Sequence, residues 1–184
     1  VKAGQASLVA QTKKLDFQVA FSMRYKMLRN GNLEEIRPEL IKKEAWVGNR
    51  INMQCNEGEI VTLEKYIGVS STLNHTADNI KTASQREAEK ALSKGFDKMY
   101  AEHCYCWEQK WKKSDIFIDG DIEAQQGIRF NIFHLNQTYT GEDSRLNVGP
   151  KGFTGEKYGG TTYWDTEAYC IPFFLMTAPQ EVTR

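Results

Sequence analysis

The stretch with the most chemistry in its side chains runs from residue 147 to residue 167. Five glycines lie between Gly149 and Gly160, and Tyr163-Trp164-Asp165 follows shortly after them. Glycine allows tight turns and close approach of the backbone to a ligand. An indole can stack on the apolar face of a pyranose, while a neighbouring carboxylate accepts hydrogen bonds from sugar hydroxyls. The pattern fits a carbohydrate site, and equally a surface loop closed by a buried Trp164 with Asp165 as an N-cap.

The same stretch resembles the Gly-rich loop and Trp-Asp-Thr-Glu motif of glycoside hydrolase family sixty-five, the inverting disaccharide phosphorylases and their relatives. The resemblance extends upstream through Trp107-Glu-Gln-Lys-Trp111, Ser114-Asp115-Ile116, Gly120-Asp121 and Gly127-Ile-Arg-Phe-Asn131. It is clear from about residue 107 onward, whereas the earlier part matches only in its β-rich character. Where many members carry Gly-His, Gly159-Gly160-Thr-Thr-Tyr-Trp164 looks most like the maltose phosphorylase type.

The resemblance implies which residues bind substrate. Trp164 and Asp165 would contact the non-reducing glucose, with Tyr163, Gly159 and Gly160 as further loop contacts. One carboxylic acid would protonate the glycosidic oxygen while inorganic phosphate attacks the anomeric carbon from the opposite face. Maltose and phosphate would then give glucose and β-glucose 1-phosphate. The family's acid lies in a later Asn-Glu-Tyr-type motif that this sequence lacks, so no catalytic residue is expected in the chain.

Composition narrows the class of protein. The 24 basic and 24 acidic residues balance to zero net charge, which gives no electrostatic footprint for nucleic acid or an anionic membrane. There is no run of about 18 apolar residues and no signal-peptide pattern. The four cysteines lack a disulfide-scaffold spacing, which favours a reduced, cytoplasmic setting. No P-loop, dinucleotide fingerprint or nucleophile elbow occurs, so no cofactor is expected beyond phosphate as co-substrate.

Two segments contain residue types that bind metal ions, but their spacing does not match that of metal ligands. His103-Cys104-Tyr105-Cys106 lies in a predicted helix, where residues one or two apart diverge by about 100–200° and cannot converge on one ion. Residues 115–121 fail the spacing of a calcium loop and lack its final glutamate. No metal site is therefore predicted.

The elements that must position these residues begin with an antiparallel β region. Strict alternation over residues 15–27 predicts a half-buried strand whose apolar side chains share one face. A preceding strand over 6–12 and alternation over 45–55 and 61–69 extend the pattern. Residues 1–75 are therefore predicted to be a portion of an antiparallel β-sandwich, with the missing strands elsewhere in a longer parent.

A helical linker is predicted over residues 76–115. Thr82 or Ser84 would cap its first helix and Gly95 would end it, and a second helix would run from Phe96 to Lys113. The second helix carries an aromatic stripe: Phe96, Tyr100, Cys104, Trp107 and Trp111. We interpret this stripe as a packing face rather than a sugar platform.

Residues 116–184 are predicted to start an (α/α)6 barrel, which makes the fold class α+β. Asp121 would cap a helix that extends to about Tyr139 and buries Ala124, Ile128, Ile132, Leu135 and Tyr139. In a later helical segment, over residues 162–177, Pro172 predicts a kink or a break.

Three polar residues of this region have competing interpretations. Arg129 either faces a ligand cleft or pairs with an acidic side chain. His134 is interpreted as an ordinary helix residue rather than a catalytic base. Glu167 is interpreted as a first-turn carboxylate favoured by the helix dipole rather than as a substitute acid.

Two classes of function remain open. The first is a fragment of an enzyme of the maltose phosphorylase type, or of a kojibiose- or trehalose-type phosphorylase or a trehalase-like hydrolase. The second is a non-catalytic carbohydrate-binding or structural module. A parent enzyme would take a disaccharide and phosphate and would be a homodimer. The chain alone is expected to be inactive and to expose apolar surface that a parent would bury.

Overall fold

The computed structural model describes residues 1–150, 152 and 161–182, which fall into two compact units, Val1–Glu102 and His103–Arg184. The first unit is built on antiparallel strands and the second on helices. This order of elements confirms the predicted α+β class. Within the described ranges, no helix is both long enough and apolar enough to cross a membrane. The (α/α)6 barrel and the limits 1–75, 76–115 and 116–184 stay predictions.

A four-stranded antiparallel sheet organises the first unit, with the second strand at its centre. Its members are β1 (Gln5–Gln11), β2 (Gln18–Arg29), β3 (Asn32–Glu34) and β6 (Val61–Ser71). β6 pairs along β2 from Val19 to Arg29, while β1 and β3 pair with successive parts of β2. Asn30 and Gly31, both at positive φ, make the tight turn from β2 to β3. A separate hairpin joins β4 (Glu39–Lys43) to β5 (Trp46–Arg50).

The side of this sheet that carries small residues packs on α1 (Ile80–Lys94). Ala20 and Ser22 are buried, and the Ser22 and Ser84 hydroxyls lie 2.7 Å apart between sheet and helix. At Gly68 a Cβ atom would lie 2.1 Å from the Ser84 carbonyl oxygen. Only glycine therefore allows the helix backbone to approach this closely.

The opposite, apolar side of the sheet is partly open to solvent. Phe21 of β2 pairs with Val69 of β6, and the two side chains are 43% and 55% exposed. Their neighbours Leu63 and Ile67 are also exposed. The alternation correctly predicts the strand from Gln18 onward, whereas residues 15–17 lie outside it. The expectation that this chain exposes apolar surface is confirmed.

Some predicted boundaries are wrong for reasons the structure makes plain. α1 begins at Ile80 after Asn79, not at Thr82 or Ser84, because the Ser84 hydroxyl is buried against β2 and cannot cap a helix end. The predicted end at Gly95 is confirmed, with a φ of 80°. The alternating residues 51–55 lie outside the strands.

The next two helices agree closely with prediction. α2 spans Phe96–Ser114, and α3 spans Ile122–Thr138 with Asp121 as its N-cap. The Asp121 carboxylate accepts a hydrogen bond from the Ala124 N–H at 2.9 Å. On the α2 stripe, Trp107 packs on Phe133 of α3 with ring centroids 4.9 Å apart, as the packing interpretation expects. The Phe96 and Tyr100 rings stack on each other and are exposed.

A small core holds the second unit together. Val148, Cys170 and Phe174 are buried, with four partly buried side chains around them: Leu135, Tyr139, Phe173 and Val182. Of the five residues predicted to be buried by α3, Ile132 is buried, Ile128 is partly buried, Leu135 and Tyr139 pack on this core, and Ala124 is exposed. The prediction for Ala124 is therefore wrong, because it lies in the exposed first turn of α3.

The final helical segment is interrupted near the predicted position. A π-helical turn over Thr166–Cys170 precedes α4 (Ile171–Thr177), and α5 (Pro179–Val182) follows. The Ile171 N–H donates to the Thr166 carbonyl, which is the five-residue step of a π-helix. The disruption that Pro172 predicts is thus a widened turn just before the proline.

Candidate functional site

Among the residues that the structure describes, Asn147 and Val148 before the Gly-rich loop are hydrogen-bonded to Thr162 and Thr166 after it. The Asn147 side-chain amide donates to the Thr162 hydroxyl oxygen at 3.0 Å. Deeper in the unit, the Thr166 hydroxyl donates to the Val148 carbonyl at 2.8 Å. The Trp-Asp-Thr-Glu motif is therefore held in place by residues that precede the Gly-rich loop.

Trp164 and Asp165 lie in the first turn of the helical segment. The Trp164 side chain is 84% exposed, so the interpretation of a loop closed by a buried Trp164 is wrong. Asp165 also makes no side-chain capping hydrogen bond to the helix that follows. An exposed indole and a carboxylate with no capping bond are therefore consecutive in the chain, and these are residue types that contact sugar rings.

The remaining predicted loop contacts are only partly described. Gly159 and Gly160 lie outside the described residues. Tyr163 is 43% exposed, and its carbonyl accepts the Thr166 backbone N–H at 3.0 Å. Gly152 shows why the loop needs glycine: its φ is +57°, and a Cβ atom there would lie 2.6 Å from the Thr138 hydroxyl oxygen.

An open cleft of about 610 Å³ lies beside the same loop. Its lining mixes aromatic and polar side chains, among them Phe130, Asn131, His134 and Tyr169. The His134 ring contacts the Phe130 and Phe133 rings edge-on, with centroids 4.3 and 5.4 Å away. Trp164 and Asp165 do not line this cleft.

Tyr169 lines this cleft and is a candidate ligand contact that the sequence did not predict. It is 74% exposed and follows Trp164 by five residues, a spacing that does not share one face of an α-helix. The π-helical turn that places it cannot be seen in the sequence. The aromatic side chain itself, four residues after Asp165, was the available signal.

Arg129 forms an ion pair within the second unit. Its guanidinium donates two hydrogen bonds to the Asp115 carboxylate, at 2.8 and 2.6 Å. These hydrogen bonds hold the pKa of Asp115 below its usual value. Of the two interpretations of Arg129, the structure therefore shows the acidic partner. The Gln125 side chain also holds this segment, since it accepts the Ile118 N–H and donates to the Ile116 carbonyl.

The electrostatics beneath the motif involve Cys170. Burial raises the pKa of its thiol, and the charge of Asp165 raises that pKa further. A neutral buried thiol suits its place in the core beside Phe174. Among the residues that the structure describes, no group of three or more His, Cys, Asp or Glu side chains could hold a metal ion.

Comparison with known proteins covers both units. The family model for the glycosyl hydrolase family 65 N-terminal domain matches residues 1–110, and the model for the central catalytic domain of that family matches residues 129–184. The second match includes Trp164 and Asp165.

Individual relatives are disaccharide phosphorylases. The chain is 43% identical over 141 residues to the maltose phosphorylase of Bacillus subtilis strain 168, covering 77% of this chain and 18% of that protein. It is 32% identical over 173 residues to the α,α-trehalose phosphorylase of Thermoanaerobacter brockii, covering 94% of this chain and 22% of that protein. A kojibiose phosphorylase of Caldanaerobacter subterraneus is 34% identical over 163 residues, covering 83% of this chain and 21% of that protein.

A solved structure shows the same arrangement of elements. A human-microbiome protein assigned as a kojibiose phosphorylase superposes with a TM-score of 0.71 at 26% identity, over 94% of this chain and 22% of that chain. The chain spans about a fifth of the length of the curated relatives it matches.

Proposed function

Because the chain belongs to glycosyl hydrolase family 65, we propose that it is a segment of an inverting disaccharide phosphorylase whose substrate is maltose. In this proposal the segment supplies part of the subsite for the non-reducing glucose. The general acid and the phosphate-binding residues come from other parts of the complete enzyme.

The pairing of an exposed indole with an uncommitted carboxylate carries this proposal. Trp164 has most of its surface open, and the neighbouring Asp165 makes no capping bond. The indole would stack on the C–H face of the glucose ring. The carboxylate would accept hydrogen bonds from glucose hydroxyls, each worth about 1.5–3 kcal/mol because one partner is charged.

The mechanism needs only one carboxylic acid from the enzyme. Phosphate attacks the anomeric carbon from the face opposite the leaving group, while the acid protonates the glycosidic oxygen. Because phosphate is already an anionic nucleophile, no second carboxylate is needed to activate water. The role of Trp164 and Asp165 is to hold the non-reducing glucose in line with that attack.

Maltose is favoured over other disaccharides by the degree of similarity. Identity to a maltose phosphorylase is 43%, against 32% and 34% for trehalose and kojibiose phosphorylases. A kojibiose- or trehalose-type specificity is the second candidate, supported by matches that span more of this chain.

Phosphorolysis by the complete enzyme tests the proposal. Maltose, trehalose and kojibiose are each incubated with phosphate, and the anomeric form of glucose 1-phosphate is read by NMR. We expect β-glucose 1-phosphate from maltose and little from the other two. Release from trehalose or kojibiose instead would select the second candidate. Hydrolysis without sugar phosphate would indicate a trehalase-like hydrolase.

Assays of the isolated chain distinguish a segment of an enzyme from a carbohydrate-binding module that functions alone. We expect the 184 residues alone to release no glucose 1-phosphate from maltose, because the acid that general acid catalysis requires is not in the sequence. Glucose binding by the isolated chain should be weak, since it holds one side of the subsite. Tight binding to maltose by the isolated chain would favour a carbohydrate-binding module instead.

The same proposal includes the substrates, the oligomeric state and the cellular location of the complete enzyme. The substrates are a disaccharide and inorganic phosphate, no other cofactor takes part, and the complete enzyme is a homodimer. The cytoplasm suits the thiols, because none of the four cysteines is in a disulfide and Cys55, Cys104 and Cys106 are exposed.

A further inference from the structure

Thr166 makes an unusual use of its hydroxyl group. The residue is 2% exposed, and its hydroxyl donates to the Val148 carbonyl, eighteen residues earlier in the chain. Val148 belongs to the buried core of the second unit. The acceptor is therefore fixed, and water does not replace this hydrogen bond if it is lost.

Two other threonines of the same unit, Thr138 and Thr177, use their hydroxyls locally. Thr177 donates to the Phe173 carbonyl at 2.8 Å, and Thr138 donates to the His134 carbonyl at 2.7 Å. Both bonds run back four residues within one helix and hold nothing outside it. The Thr166 bond instead joins two segments on either side of the Gly-rich loop.

The backbone of Thr166 is also fixed at both ends. Its N–H donates to the Tyr163 carbonyl at 3.0 Å, and its own carbonyl accepts the Ile171 N–H that closes the π-helical turn. Trp164 and Asp165 lie between Tyr163 and Thr166. The backbone direction of these two residues is thus set by Thr166, although its side chain points away from solvent into the core.

We propose that Thr166 is a positioning residue for the glucose subsite, acting through Trp164 and Asp165 by anchoring their turn to Val148. This inference rests on the proposed function, in which those two side chains contact the non-reducing glucose. A displacement of about 1 Å at a substrate-holding group can cost about a hundredfold in rate, so a single buried anchor has kinetic consequences.

The test uses three variants of the complete enzyme. Thr166→Val keeps the branched shape and removes the hydroxyl, whereas Thr166→Ser keeps the hydroxyl. Thr177→Val is the matched control, since it removes a hydroxyl bonded only within its own helix. KM is measured separately for disaccharide and for phosphate, and hydrogen exchange by mass spectrometry follows the backbone amides of residues 161–170.

In Thr166→Val we expect faster exchange at Trp164 and Asp165 and a disaccharide KM raised about tenfold or more, with the phosphate KM unchanged within about twofold. Thr166→Ser and Thr177→Val should match the parent enzyme in both KM values and in exchange over residues 161–170. Lower thermal stability of Thr166→Val with unchanged disaccharide KM would overturn the inference, as would equal rises in both KM values.

The exchange measurement separates this inference from the function on which it rests. If the parent enzyme phosphorolyses no disaccharide, the proposed function fails, and unchanged exchange in Thr166→Val would independently refute the anchor. Should Thr166→Val not accumulate as folded protein, Thr166→Ala removes the hydroxyl without placing a second methyl group against the Val148 carbonyl and is used for the same measurements. Parent-like exchange and disaccharide KM in Thr166→Ala would then refute the anchor.

Discussion

Asp165 shows how backbone conformation decides what a side chain can do. A residue that caps a helix has extended backbone angles, which let its oxygen reach the free N–H groups of the first turn. Asp165 instead has helical angles, with φ −58° and ψ −33°. Its carboxylate makes no capping hydrogen bond, and because the residue is exposed a ligand hydroxyl can reach it.

The first prediction concerns these two residues in the complete enzyme. Asp165→Asn should lower kcat/KM for maltose by about one to two orders of magnitude, because charge-assisted hydrogen bonds to sugar hydroxyls become neutral ones. Trp164→Ala should cost a comparable factor through lost stacking. Steady-state kinetics measure both effects.

Glu167→Gln is the matched control for Asp165→Asn, since Glu167 is an exposed carboxylate of the same segment that we interpret as favoured by the helix dipole. Its kcat/KM should change by less than about threefold. Unchanged kinetics in both Asp165→Asn and Trp164→Ala would contradict the proposed subsite.

At this scale the sequence predicted residue types better than residue contacts. Trp164 and Asp165 could be proposed as sugar contacts from the sequence, because stacking and hydrogen bonding follow from the side chains themselves, and their role stays a prediction. The bond from Thr166 to Val148 was not, since it spans a loop and depends on how two distant segments fold together. The Arg129 pairing stayed ambiguous for the same reason.

At the scale of elements, the close packing of α1 on the four-stranded sheet depends on Gly68, which has no side chain. Gly68 lies under the helix backbone, and the hydroxyls of Ser7, Ser22 and Ser84 connect strand, strand and helix. Local patterns correctly predicted β2, α2 and α3, because alternation, helical spacing and the Asp121 cap are local signals. The start of α1 was mispredicted, because a serine suited to capping is used in this contact instead.

A second prediction follows from that contact. Gly68→Ala should lower the free energy of unfolding of the chain by about 3 kcal/mol or more, since the added methyl group collides with helix backbone rather than a movable side chain. Gly127→Ala is the control: its site is open and helical, so the same substitution should stabilise by up to about 1 kcal/mol. Urea unfolding measures both, and equal effects would refute this account.

The third prediction concerns the ion pair between Arg129 and Asp115. The pKa of Asp115 is lowered in the folded chain, so its stabilising effect is present above the unfolded pKa of about 3.9 and is lost as pH falls through the lower, folded pKa. Asp115→Asn should therefore unfold at lower urea than the parent chain at pH 5 to 7. The gap should narrow as the pH falls below about 4.

Asp119→Asn serves as the control for this titration. Asp119 is an exposed carboxylate four residues later, and the structure gives it no ion pair within the described ranges. Its substitution should leave the urea midpoint nearly unchanged at every pH. A gap for Asp115→Asn that stays constant down to pH 2 would show that its cause is not ionisation.

For the whole molecule, the distribution of apolar surface matters most. The described part of the chain buries few large side chains, while Phe21, Leu63, Ile67 and Val69 lie exposed on one side of one sheet. Contiguous exposed apolar surface of this kind marks a contact with other protein. The chain's share of about a fifth of its relatives' length accords with that, because a complete enzyme offers further elements to cover it.

The fourth prediction tests this surface directly. The isolated chain should bind the dye ANS, and replacing Phe21, Ile67 and Val69 together by threonine should reduce the binding while leaving the melting temperature within a few degrees. Threonine keeps the preference for a strand, and the removed side chains have little packing to lose. No dye binding by the parent chain, or collapse of the triple variant, would show that these residues are already packed.

The outer edge of β6 has a practical consequence. Among the described strands, β6 pairs only with β2, so the N–H and C=O groups of alternate residues along its eleven-residue length have no strand partner on the second edge. Such an edge is a template on which a strand from another molecule can add. Anyone producing this chain alone must therefore expect association that rises with concentration. The simplest remedy is a charged residue on that strand, such as lysine in place of Val69. The charge disfavours pairing with a strand from another molecule and leaves the pairing with β2 in place.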